Sequence, residues 1–336
     1  MGYKEDKYGV RYSEDGKSLI EYNPDVFQCE HYEIPDGVTK IEANAFLNCL
    51  SLRSIMMPDS VIEDEGSIFE GCKNLEEARV SANLKNPNIA MFCGCSSLRR
   101  VELPEGIESI GENMFCGCKA LSRIDLPSTI KEFCGDTFCG TSLEEIFLPE
   151  GLTRIGHDAF INCYHLKHLT IPSTVESIAP WLVQGHKDFE GVVCHSEKFR
   201  IEDDALISNK DNSLLACWTK QKVYHIPASV KKLRSLCNDQ VESLCIDSSV
   251  QICFEALVSC PSLKNIEKSN KDLEWYLQHG CRPAEEVFRA IENQQIHIVN
   301  SAGDKRTATA KEIEGLYPDY QLDREWYKTH GYKLSI

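Results

Sequence analysis

No stretch of this sequence reaches the roughly 18 consecutive apolar residues that a membrane-spanning helix requires. The opening residues, MGYKEDKYGVRY, lack the apolar core and small-residue cleavage site of a secretory signal. Positive charge is scarce: 36 Lys and Arg stand against 52 Asp and Glu, a formal net charge of −16. Such a surface repels a phosphate backbone, which argues against nucleic-acid and anionic-lipid partners. Residues 267–336 carry 10 basic and 12 acidic side chains, so the acidity belongs to the first four-fifths of the chain. Catalytic motifs are missing too. No GxSxG, P-loop, GxGxxG, HExxH or EF-hand pattern occurs, and the 10 histidines are scattered.

What the chain has instead is length, cysteine and rhythm. At 336 residues it exceeds the roughly 250–300 at which a single core stops growing, so it either holds two domains or extends in one direction. Its 17 cysteines are an odd number in a long chain, and many sit inside apolar patterns. That usage fits a reducing or anaerobic setting better than a small disulfide scaffold.

A fixed beat explains both. The pattern apolar, two variable, apolar, one variable, apolar, proline occurs as LRSIMMP from Leu52, LRRVELP from Leu98, LSRIDLP from Leu121, LEEIFLP from Leu143 and LKHLTIP from Leu166. LEEARVS from Leu75 keeps the apolar positions without the proline. Weaker copies start at Cys29, Phe189, Gln221, Val241 and Leu263, and the successive steps are 23, 23, 23, 23, 22, 23, 23, 32, 20 and 22. One such unit cannot hide its apolar side alone, whereas stacked units bury it between neighbours. Proline after each strand removes a donor and should turn the chain. The second apolar pair of each unit, such as Val38 and Ile41 or Ile107 and Ile110, predicts another short strand. Phe46, Phe69, Phe92, Phe115, Phe138 and Phe160 then fall in one column through the core.

IPDGVTKIEANAFLNCLSL at 34–52 and LPEGLTRIGHDAFINCYHL at 148–166 resemble the repeat unit of the BspA-type leucine-rich repeat proteins of bacteria. The resemblance covers residues 29–267. It implies a mainly β solenoid, a curved right-handed superhelix of short strands and helical or 3-10 turns. It also implies binding of host or microbial proteins at a cell surface. The missing export signal departs from the exported members and implies a cytoplasmic location for the chain as it stands.

The cysteines follow the same beat. Cys49, Cys72, Cys95, Cys118 and Cys163 hold one position, and Cys93, Cys116 and Cys139 another. FCGC at 115–118 is therefore two columns crossing one unit. Zinc sites pair ligands two to four residues apart around a tetrahedron, and a single-residue spacer on a ladder does not supply that. The expected role is small buried hydrophobe, with no metal and no cofactor.

YGVRYSEDGKSLIEY at 8–22 predicts a hairpin turning at EDGK, echoed by DALISNKDNSLLACW at 204–218, which accounts for the 32-residue step. The domain reading is an N-terminal hairpin cap over 1–28, a solenoid over 29–267 with a hairpin insertion near 199–220, and an α-rich C-terminal segment over 268–336. In that last segment SNKDLEWYLQHG, RPAEEVFRAIENQ, TAKEIEGL and LDREWYKTHG read as helices, and QIHIVNSAGDKRTAT as a strand pair.

In a strand of form LxxIxLP the apolar residues face inward, leaving the third and fifth to line an exposed, concave sheet. Third positions are Ser54, Glu77, Arg100, Arg123, Glu145 and His168; fifth positions are Met56, Arg79, Glu102, Asp125, Phe147 and Thr170. Alternating signs, with Glu77 beside Arg100 and Arg79 beside Glu102, suggest partial neutralisation across strands. Arg79, Arg100, Arg123, Phe147 and His168 are the expected protein-binding residues, since arginine and aromatic side chains dominate interfaces. No catalytic residue is identified. Protein recognition without catalysis is the leading reading, an intracellular scaffold the second, and a hydrolase using a Cys–His pair the third.

Overall fold

The computed structural model describes residues 2–267, apart from 248, 254, 255, 258 and 259, together with the strands Gln295–Asn300, Lys305–Thr309 and Tyr320–Leu322. The chain divides into two compact units, residues 1–184 with 188–201, and residues 185–187 with 202–336.

In the first unit neighbouring coils are bonded along up to three runs. The LxxIxLP segments form a parallel sheet of His31–Glu33, Ser54–Met56, Glu77–Arg79 and Arg100–Glu102, in which Ser54, Glu77 and Arg100 lie in register. The second apolar pair forms the expected two-residue strands, with Ser109–Ile110, Glu132–Phe133, Arg154–Ile155 and Ser177–Ile178 in parallel order.

The third run is the AFxxC segment, where helical or 3-10 turns were expected. Hydrogen-bonded turns stand there instead, and no residue of the described chain is helical. Two causes act together. Alternate N–H groups point to the neighbouring coil, as when Phe46 donates to the Ile68 carbonyl at 2.8 Å, Phe69 to Met91 at 2.9 Å, Phe92 to Met114 at 3.0 Å and Phe115 to Thr137 at 2.9 Å. Those donors are lost to any intra-segment helical bond. Left-handed residues also flank the run: Asn44, Asn113 and Asp136 enter it at φ of 61, 55 and 54°, and Asn48, Gly94 and Gly117 leave it at 56, 72 and 73°. Asn, Asp and Gly tolerate that region, and a right-handed helix cannot propagate through it.

These ladders put every side chain above its counterpart. The six phenylalanines are fully buried, with consecutive ring centroids 5.4, 5.6, 5.8, 5.5 and 5.6 Å apart. From Phe69 onward the consecutive planes lie within 10° of parallel, in offset stacks. Tyr22 extends the row beyond Phe46 at 5.7 Å. Cys49, Cys72, Cys95, Cys118 and Cys163 are buried beside the rings. They do more than fill space: the thiols of Cys72, Cys95 and Cys118 donate to the carbonyls of Phe46, Phe69 and Phe92 in the preceding coil, at 3.0, 3.0 and 3.2 Å. Thr141 replaces the cysteine in the shortened coil and donates to its own Phe138 carbonyl at 2.9 Å.

Both expected hairpins form. Val10–Ser13 pairs antiparallel with Ser18–Tyr22, and the second strand bonds in parallel to Lys40–Ile41, so the hairpin is stacked as a rung of the ladder. In the second unit Ala205–Ser208 and Ser213–Cys217 repeat the arrangement, with Ser213–Cys217 paired in parallel to Lys232–Leu233 and that strand to Gln251–Ile252. Val223–His225, Ser243–Cys245 and Asn265–Glu267 form its other parallel sheet. Leu214, Leu233, Leu244 and Ile252 belong to its core.

Of the C-terminal segment, the described part is antiparallel sheet. Gln295–Asn300 pairs with Lys305–Thr309 on either side of SAGD, as expected, and with Tyr320–Leu322. The helices expected at 269–280, 282–294, 309–316 and 322–331 lie outside the described residues, except for Thr309 and Leu322, which are strand. The β-branched residues of QIHIVN and KRTAT favour that pairing.

Replacing Phe115 with Ala should lower unfolding free energy by about 3–5 kcal/mol, because the ring is fully enclosed and its coil cannot collapse without breaking the ladder. Urea titration of the wild type and F115A reads that difference directly.

Candidate recognition surface

The third and fifth positions of the LxxIxLP segments do face solvent. Glu77, Arg100, Arg123, Glu145 and His168 are exposed, as are Met56, Glu102, Asp125, Phe147 and Thr170, while Ile55, Ala78, Val101, Ile124 and Ile146 between them are buried. The five residues expected to bind a partner fall on this face, but their surroundings divide them.

Arg79 is engaged within the fold. It donates to the Met57 carbonyl at 2.8 Å and meets Asp59 at 3.0 Å and Glu102 at 3.3 Å. Asp59 also accepts the Ala82 N–H, and these two donors hold its carboxyl below the usual carboxylate range. His168 lies 3.0 Å from Glu190. Arg123 has only long contacts, 3.7 Å to Asp125 and 4.0 Å to Glu145, on a side chain that is 66% exposed. Arg100 has no ion pair or side-chain hydrogen bond among the described residues, although Glu77 stands opposite in register. The neutralisation expected from alternating signs is thus present at Arg79–Glu102 and absent at Glu77–Arg100. Phe147 is 70% exposed, the most exposed large apolar side chain of the described chain.

Two features of this face lay beyond sequence reasoning. Arg99, a second-position residue, is also exposed and, among the described residues, without a charged partner. The sheet itself opens here. Arg99 N–H donates to the Glu76 carbonyl at 2.9 Å, yet across the next three coil junctions only Glu144 N–H to Ser122, at 3.1 Å, remains. Met57 and Val80 donate to the carbonyls of Arg79 and Glu102, both at 3.0 Å. The equivalent N–H groups of Leu103, Leu126 and Leu148 make no backbone bond among the described residues. Pairing resumes at His168–Ile171 with Gly191–Cys194. An open depression of ≈ 430 Å³ lies between the separated segments, lined by Arg99, Arg100, Glu102, Leu103, Arg123 and Asp125. The one irregular spacing in this stretch is the 22-residue step, where one residue is missing between Phe138 and Leu143, at the second of the three loosened junctions.

A second cluster was also missed. His157, 52% exposed, has its Nδ1 3.0 Å from Asp158 and 3.5 Å from Asp136. The donor atoms of the three lie within 4.8 Å of one another. Asp136 and Asp158 enter equivalent turns in successive coils, so stacking forces two carboxylates together. Burial raises both above the usual carboxylate range, and Asp158 raises Asp136 further by like-charge repulsion. The imidazole offsets part of that repulsion. Two acidic residues at one repeat position, 22 apart, were the available sign.

Comparison with known proteins places this geometry. A family model described as a BspA type leucine rich repeat region matches residues 25–141 and 135–231 in six copies, more than half the chain. No curated protein matches the sequence. Among solved structures, a leucine rich cell surface protein from Faecalibacterium prausnitzii A2-165 aligns with a TM-score of 0.54 at 22% identity, over 87% of this chain and 81% of that one. The pneumococcal vaccine antigen PcpA aligns at a TM-score of 0.46 and 19% identity, over 79% and 69% of the two chains. A Treponema pallidum leucine rich repeat protein aligns at 0.43 and 23%, over 57% and 86%. The Faecalibacterium likeness speaks to the fold alone.

The stacked carboxylates make a test of local electrostatics. A carboxyl whose folded pKa is raised opposes folding once ionised, so its cost is absent at low pH and present above that raised pKa. Asp136→Asn, which copies Asn113 of the preceding coil, should therefore raise the melting temperature at pH 7 by about 1 °C or slightly more. The gain should shrink towards zero at pH 3, as thermal scans across pH would show.

Proposed function

The chain belongs to the BspA-type leucine-rich repeat family, and from that premise we propose that it binds a protein ligand, without catalysis, through the outward face of its LxxIxLP segments. The observation that carries this reading is the contrast within that face. Arg79 and His168 are tied to carboxylates, whereas among the described residues Arg99, Arg100 and Phe147 have no such partner and Arg123 has only distant ones. Arginine and aromatic side chains desolvate well in interfaces and contribute disproportionately to affinity. The patch is therefore Arg99, Arg100, Arg123 and Phe147, and Arg79 acts as a brace that holds the strand beside it. A cell-surface setting, which is how the Faecalibacterium neighbour is described, would present such a patch to extracellular proteins.

The ligand complements the patch with a carboxylate-bearing surface and an apolar contact for Phe147. Its positive groups meet Glu77, Glu102 and Asp125 around the arginines, which favours a mixed-charge epitope over a polyanion.

Wild type, R100E/R123E and F147A, immobilised and exposed to host and bacterial extracts, should differ in what they retain. Proteins held by the wild type are expected to lose at least about tenfold in capture on the double variant, while its thermal unfolding curve stays near wild type. R79E should instead lower the melting temperature, because it breaks bonds to Met57, Asp59 and Glu102. Equal retention by all the variants would remove this face as the recognition surface.

A further inference from the structure

The turn after each phenylalanine carries a row of thiols distinct from the buried column. Cys93, Cys116 and Cys139 hold one place in three successive coils, with Glu70 before them and Ile161 after. Their register is set by backbone: Gly71, Gly94 and Gly117 N–H groups donate to the carbonyls of Cys93, Cys116 and Cys139 at 2.8, 2.7 and 2.8 Å. All three are half-buried, unlike Cys95 and Cys118 two residues on, whose thiols turn inward to phenylalanine carbonyls. Because the three occupy equivalent places in coils held in register, their side chains follow one another along one half-buried line of the turn. The next residue in each coil is glycine, which adds no side chain over the row.

Three sulfurs in a line do not make a tetrahedron, and they do not close around one point: among the described residues the three-donor group within 4.8 Å is Asp136, His157 and Asp158, not the cysteines. A line does suit an ion that takes two ligands on opposite sides. A metal–thiolate bond of about 2.3 Å makes a linear sulfur–metal–sulfur bridge span about 4.6 Å. Neighbouring rungs of a backbone ladder repeat at about 4.8 Å. Soft thiolate donors select soft d10 ions such as Cu(I).

We propose that Cys93, Cys116 and Cys139 form a binding site for a soft monovalent cation, Cu(I), bridged between successive thiolates with Cys116 as the shared ligand. Binding of one ion exchanges protons for metal: two thiols and one Cu(I) give a dithiolate complex of charge −1 and two protons. A second ion on the row brings the third thiol and one more proton, with no change of oxidation state at sulfur or copper. The local charge favours a cation, since Glu70 acts on Cys93, and Asp136 on Cys116 and Cys139, each through space. Thiols must lose their protons to bind the ion, so uptake strengthens as pH rises.

The test uses the full chain, reduced and kept anaerobic, titrated with Cu(I) against a chromophoric Cu(I) chelator. Wild type should hold up to two ions against the chelator, one per interval in the row. C116S removes the shared ligand and should weaken retention by about 100-fold or more, since even outer contacts of metal ligands are worth 10–100-fold. C93S should keep one ion between Cys116 and Cys139, and C194S, outside the row, should behave as wild type. Unfolding curves of each metal-free variant separate lost binding from lost fold, and absorption at the copper edge should show two sulfur ligands per ion. Equal retention by wild type and C116S would overturn the assignment. So would copper held by the triple variant C93S/C116S/C139S, or a copper edge showing nitrogen or oxygen ligands.

Discussion

Each coil of the first unit hangs from the next by backbone hydrogen bonds, and that spacing governs everything placed on it. Along the AFxxC run the bonds recur at 2.7–3.0 Å from one coil to the following one. Once the rungs are fixed, a residue has no choice of neighbour: it meets its counterpart one coil away. Phenylalanine over phenylalanine gives an uninterrupted apolar stack, which is favourable. Asp158 over Asp136 gives like charges in contact, which is not, and a histidine beside them is the local remedy.

This constraint explains which features could be read from the sequence. The beat of 23 located the strands, the aromatic column, both hairpins and the outward positions, because each depends only on place within a unit. Features that depend on the relation between units were harder. Arg79 and Arg100 both stand at outward positions, the fifth and the third, and Arg79 is tied down because Asp59 of the preceding coil reaches it. The sheet opening beside Arg123 required knowing that a one-residue shortening is absorbed on the LxxIxLP side while the phenylalanine rungs stay closed. The helical or 3-10 turns implied by the resemblance do not form at AFLNC and its relatives, because donors there are already committed to the neighbouring coil.

The cysteines show one residue type doing two things two positions apart. Cys118 faces the core, where burial pushes its thiol well up and a carbonyl of the preceding coil takes its proton as a hydrogen bond. Cys116, two residues earlier, sits in register with Cys93 and Cys139 at a half-exposed turn. Place in the repeat and a spacer unsuited to zinc assigned both to filler. The alternation of facing along the turn, rather than the count of sulfurs, distinguishes them.

The coil that lost a residue carries a wider lesson about how such an array can change. Its phenylalanine, its rung and its threonine substitute remain in place, and the slack is taken up on one side only. Length is thus a means of variation separate from residue identity. On either side of this coil the LxxIxLP segments are loosened, Leu126 and Leu148 are partly solvated, and the outer face differs there while the interior that keeps the molecule folded does not.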